Sequence, residues 1–184
     1  MKSVMISIRP EWCRKILNGE KTLELRKSAP RITPPFKCHI YCTQGREILS
    51  YEQYCGYDIT DFTEDFVANK KVIAEFVCDK IIPVRVFGNG SIKDWNANRL
   101  ESSCLSYDAI AMYIGTNRCG YAWHISNLKV YEKPIDISEF YGGCDKGVLF
   151  DCSFCHEHNV RVSCKPLTSA PQSWCYVENK EESE

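Results

Sequence analysis

One segment, SIRPEWCRKILNGEKTLELRK (Ser7–Lys27), constrains the fold more than any other part of the chain. Pro10 suits a first helical turn, where its missing N–H costs nothing. Trp12, Cys13, Ile16 and Leu17 recur at i, i+1, i+4 and i+5, which puts them on one helix face and leaves Arg14 and Lys15 outside. Gly19 supplies the left-handed stop. TLELR (22–26) then alternates, with Leu23 and Leu25 on one side and Thr22, Glu24 and Arg26 on the other. The segment therefore predicts a short amphipathic helix, a tight turn and an alternating strand. Lys21, Glu24 and Arg26 collect on the remaining face, either as a solvated, salt-bridged rim or as the floor of a concave site.

The rest of the chain supplies more strands than helices. SVMISI (3–8), KCHIYCT (37–43), GYAWHISNLKVYE (120–132) and SWCYVE (173–178) read as strands, and KVIAEFVCDKIIPVRVF (71–87) as a long strand region interrupted near Pro83. SYDAIAMYIG (106–115) reads as a capped helix ending at glycine, and DISEF (136–140) as a helical turn. Residues 44–70 are polar and acidic, an insertion or long loop. Strands and helices that mostly do not alternate predict one α+β domain over 1–184 with a closed or half-closed sheet.

Hydrophobic residues make up 44% of the sequence and aromatics 12%, enough for a core, which excludes a disordered chain. No apolar run is long enough to span a membrane and the first residues do not form a secretory signal, so a soluble, cytoplasmic protein with no membrane contact is expected. The net charge is −1, yet residues 1–46 hold ten Lys/Arg against three Asp/Glu, a local +7. Such a basic segment is compatible with a nucleic-acid footprint or with a soluble face.

The twelve cysteines, without a signal peptide, point to reduced thiols. Cys13, Cys38, Cys42, Cys78 and Cys175 sit in apolar patterns and read as buried. Cys144, Cys152, Cys155 and Cys164 sit in polar sequence (141–165) with C-x2-C at the centre, the spacing of a structural zinc site. His156 and His158 are substitute ligands, and ordinary free thiols are the alternative. Among the aromatics, Trp123, Tyr121 and Tyr176 read as core, whereas Trp174 follows a loop and is a candidate ligand-stacking residue. His124 reads as structural.

The run Gly19, Lys21, Glu24, Arg26 behind a strand and helix resembles the N-terminal signature of ASCH domains, the PUA-like family named for activating signal cointegrator homology. VIAEFVCDKI, YAWHISNLKVYEKPIDISEF and APQSWCYVE are similar to the family's later strands, the last to bacterial and prophage-associated members. The resemblance implies a small PUA-like mixed β-barrel with short flanking helices and a cleft beside the first helix. It also implies binding of RNA or of a modified nucleoside or nucleotide, with Lys21, Glu24, Arg26 and Trp174 as ligand-binding residues. One branch hydrolyses the amide of N4-acetylcytidine with a lysine, a threonine and a glutamate. Lys21 and Glu75 match two of these and Glu24 replaces the threonine, so an alternative is a nucleoside amidohydrolase or ribonuclease using Lys21, Glu24 and Glu75. A second alternative is a protein-interaction module that uses 44–70 and the cysteine-rich loop.

Overall fold

β1 (Ser3–Ile8) is buried along its whole length, which explains why it reads as a continuous apolar run rather than an alternating one. The computed structural model describes residues 3–49, 67–93, 95–143 and 163–179. They fall into two compact units: Met1–Cys13, Lys37–Glu75 and Lys129–Glu184 form the first, and Arg14–Phe36 and Phe76–Leu128 the second.

The first unit is built on a seven-stranded mixed sheet. Its members are β1, β3 (Phe36–Cys42), β4 (Lys71–Cys78), β7 (Ser126–Ile135), β8 (Phe140–Gly143), β9 (Ser163–Pro166) and β10 (Trp174–Asn179). The order is β7-β4-β3-β1-β10-β8-β9. β1 runs parallel to β3, with Met5 opposite His39, and antiparallel to β10, with Ser3 opposite Val177. Met5, Tyr41, Val72, Phe140 and Val177 form the core, joined by the partly buried Tyr131, Ile135 and Leu167. A 3₁₀ turn (Ile137–Glu139), capped by the Asp136 side chain, occupies the expected DISEF turn.

Two ends of the acidic 44–70 segment meet. Ala68 donates to the Leu49 carbonyl, and Asn69 bridges the Leu49 N–H and the Glu47 carbonyl. Leu49 and Ala68 are buried at this junction. Residues 50–66 lie outside the described residues. So do Cys144, Cys152 and Cys155, together with the side chain of Cys164, and with them the expected zinc site.

The second unit is a three-stranded antiparallel sheet, β2-β6-β5, of β2 (Leu23–Arg26), β5 (Ile81–Arg85) and β6 (Cys119–His124). α2 (Ala97–Ser103) and α3 (Tyr107–Ile114) cover it, packing around Leu23, Leu25, Val84, Val86, Trp95, Ile110, Ile114 and Ala122. Asn96 and Ser106 cap the two helices, each side chain accepting from a backbone N–H three residues on. Gly120 allows α3 to approach: a Cβ there would lie 2.7 Å from Ile114 Cδ1 and 3.1 Å from the Arg26 carbonyl oxygen.

α1 (Pro10–Leu17) follows its predicted bounds, with Cys13 and Ile16 buried and Gly19 at φ 76°. Three expectations need correction. The 71–87 region is two strands, broken after Cys78 rather than at Pro83; Pro83 sits within β5 on the sheet edge, where no ladder donor is missed. The 120–132 strand is β6 and β7, interrupted at Ile125. α2 was not expected, because ANRLESS lacks a helical apolar stripe and its Asn96 cap is a weak local signal. The α+β expectation holds, and the described strands are distributed over two sheets. No helix among the described residues is long and apolar enough to cross a membrane.

Candidate functional site

The alternation of β2 predicts one apolar and one open polar face, but both faces are enclosed. Lys21 is 2% exposed, Glu24 8% and Arg26 7%. Burying ions is tolerated only where partners replace water, and here the three side chains partner one another. Arg26 NH2 lies 3.0 Å from Glu24 Oε1, and Lys21 Nζ lies 3.4 Å from Glu24 Oε2. One carboxylate thus divides its two oxygens between two cations, and the trio carries a formal surplus of one positive charge.

Lys21 has a second role that its place in the motif did not reveal. Its Nζ donates to the carbonyls of Leu23 (2.8 Å) and Ser103 (2.7 Å). With the contact to Glu24, three partners meet the three ammonium protons. Ser103 ends α2, so Lys21 places a cation on the orphan carbonyl of a helix C-terminus. The Thr22 N–H takes the carbonyl of Ser102, and the Cys104 thiol donates to that of Glu20. The turn after Gly19 therefore seals the end of α2. Burial pushes the Lys21 ammonium below the ordinary lysine range, and the Glu24 carboxylate opposes that shift.

An aromatic that sequence reasoning missed stands beside the trio. Tyr113, on α3, is 39% exposed, and Lys27 Nζ lies 5.3 Å from its ring centroid. Burial pushes its hydroxyl up; the Arg26 guanidinium opposes this and the Glu24 carboxylate adds to it, so the phenol lies within electrostatic reach of both. The available signal was the helical spacing of Ile110 and Ile114, which turns Met112 and Tyr113 outward. Trp123 and Tyr121, paired with Glu24 and Arg26 across the β2–β6 ladder, share the face of the trio. Trp123 is fully buried and packs edge-on against Phe36, so it belongs to the core as expected.

The remaining candidates have other surroundings. Glu75 makes its contacts in the first unit, with Tyr131, Lys37 and His39. Trp174, half-buried, meets Tyr176 edge-to-face at 5.5 Å, also in the first unit. His124 bonds Asp79 at 2.6 Å through Nδ1. That bond is the first cause of the lowered Asp79 carboxyl.

A helix-backed antiparallel sheet and a mixed sheet carrying a parallel β1–β3 pair make this an α+β protein. No protein-family model matches the sequence, and no curated protein does. Solved structures do. The chain is similar to the ASCH protein from Zymomonas mobilis with a TM-score of 0.56 and 19% identity, over 98% of this chain and 90% of that one. A tyrosine-to-phenylalanine variant of the same protein gives 0.53 and 16% over 100% and 94%. A serine-to-alanine variant gives 0.53 and 17% over 98% and 91%. The chain has the fold of the ASCH proteins.

Proposed function

We propose that this protein binds RNA or a modified nucleoside or nucleotide at the β2–α3 face of its second unit. The observation that carries this reading is the enclosed Lys21–Glu24–Arg26 trio, with its surplus positive charge, beside the exposed ring of Tyr113 and the Lys27 ammonium. In this reading Arg26 and Lys27 attract phosphate or a base carbonyl. Glu24 accepts from an exocyclic amine. Tyr113 supplies a stacking platform of about 1–3 kcal/mol per base. Lys21 acts as the strut that fixes the turn and Glu24, rather than as a group that meets ligand. The local +7 of residues 1–46 supports the same partner class.

The hydrolase reading draws support from the lowered Lys21 ammonium, since more of such an amine is unprotonated and free to act as a nucleophile. It requires Lys21 to release one of three bonds, and the 3.4 Å contact to Glu24 is the longest of them. We also propose a structural zinc held by Cys144, Cys152, Cys155 and Cys164, on the strength of their spacing.

Calorimetric titration with single-stranded RNA oligomers, nucleotides and N4-acetylcytidine tests the binding reading. Affinity for RNA is expected to fall steeply with salt, and Tyr113→Ala is expected to weaken it about 5- to 150-fold, the equivalent of one stacked base. Absence of binding to all of these overturns the proposal, and release of acetate moves the assignment to the hydrolase.

A further inference from the structure

A chain of polar groups crosses five consecutive strands of the seven-stranded sheet, wholly within the first unit. In strand order they are Tyr131 on β7, Glu75 on β4, His39 on β3, Ser3 on β1 and the Val177 carbonyl on β10. Tyr131 OH donates to Glu75 Oε2 at 3.0 Å, and His39 Nδ1 lies 2.8 Å from Tyr131 OH. On the other side His39 Nε2 lies 3.2 Å from Ser3 Oγ, which donates to Val177 O at 2.9 Å. His39 is fully buried and Ser3 nearly so.

With Glu75 ionised beside Lys37, the two ends of this chain can only accept: one is a carboxylate, the other a backbone carbonyl. Each hydroxyl owns a single proton. The Tyr131 proton points to Glu75, so its oxygen must receive one from His39 Nδ1. The Ser3 proton points to Val177, so its oxygen must receive one from His39 Nε2. All four bonds therefore coexist only when both imidazole nitrogens carry a proton. A neutral ring must turn one hydroxyl round, and the bond to Glu75 or to Val177 is lost.

The charges around the ring set the balance. Glu75 Oε2 lies 3.9 Å from Nδ1 and supplies a counter-charge, while Lys37 Nζ, 3.6 Å from a Glu75 oxygen, competes for it. The Phe140 ring of β8 stands edge-on, with centroids 4.9 Å apart. Burial among such groups disfavours the cation; the carboxylate and the additional hydrogen bond favour it.

We propose that His39 is a buried imidazolium that ties β1, β3, β4 and β7 together, with Glu75 as its counter-ion, and that loss of its proton unlatches one hydroxyl of the chain. This makes the first unit pH-responsive and gives Glu75 a charge-holding role instead of a catalytic one. The sign follows from linkage: a cation held by more bonds folded than unfolded stabilises below the unfolded histidine range, and that contribution fades as pH rises through the folded-state titration.

The test is ¹⁵N-histidine NMR of the full chain from pH 5 to 9, alongside thermal melting. His124→Gln, His156→Gln and His158→Gln remove the other three signals in turn, so the fold need not survive replacement of His39. The expected spectrum has both His39 nitrogens protonated at neutral pH, and the melting temperature declines as that signal titrates. Glu75→Gln, which keeps an acceptor for Tyr131, should move the titration to lower pH by about 1–3 units, the usual effect of a removed counter-charge. A His39 signal with a single protonated nitrogen throughout, or one unmoved by Glu75→Gln, overturns the proposal.

Discussion

Replacing Glu24 with glutamine keeps the shape of the side chain and removes the only negative charge of the buried trio. Lys21 and Arg26 then face each other without compensation, and the formal surplus rises from one charge to two. At 3.0 and 3.4 Å, in an environment that admits little water, these contacts belong to the enclosed class. Removing one partner of such a pair costs about 3–5 kcal/mol, far above the 0–1 kcal/mol of an exposed rim pair. For a chain of this size that is a fall in melting temperature of roughly 6–20 °C. Urea unfolding of the wild type, Glu24→Gln, Lys21→Met and the double variant measures it. The double variant should be less destabilised than the sum, by about 0.5–3 kcal/mol, because removing Lys21 relieves the repulsion that Glu24→Gln creates. A Glu24→Gln cost below about 1 kcal/mol, or strict additivity, would falsify the enclosed-trio account.

Gly120→Ala should cost about 1–3 kcal/mol in the same denaturant assay, since its methyl meets Ile114 and the Arg26 carbonyl; a neutral outcome would show that α3 shifts freely. Asp136 is held down to about 2, first by the Lys71 hydrogen bond and then by the Ser138 N–H and hydroxyl. Its contribution is therefore present above the ordinary carboxylate range and lost as pH falls from about 4 towards 2. Half exposed, it is worth under about 1 kcal/mol, and Asp136→Asn should flatten that part of the acid-stability curve. Burial pushes the Cys78 thiol up to about 12 and the Cys175 thiol up to about 11, so both should alkylate more slowly at pH 8 than the exposed Cys119, as peptide mapping would register. Elemental analysis should find about one zinc per chain if the four-cysteine proposal holds, in keeping with one tetrahedral thiolate site; metal-free protein would end it.

Local patterning decided the parts of this protein that need only neighbours in sequence. Pro10, the Trp12–Leu17 stripe, Gly19 and the Leu23/Leu25 alternation fix α1, its turn and β2, because capping, helical period and strand pleat act over a few residues. Ser106 and the Ile110/Ile114 spacing do the same for α3. The motif also singled out Lys21, Glu24 and Arg26, but not their condition. A strand with a polar face looks alike whether that face meets water or protein, and only packing enclosed it, turning Lys21 into the cap of a helix 76 positions further along the sequence from Lys21 to its first residue, Ala97. Tyr113 joined the site for the same reason: the distance between β2 and α3 is set by the small Gly120, which no local pattern marks. The His39 chain was the least legible, since Ser3, His39, Glu75, Tyr131 and Val177 are far apart in sequence and meet only through strand order. Each alone is an ordinary strand residue; the direction of every proton among them follows from which acceptors the sheet places at the two ends.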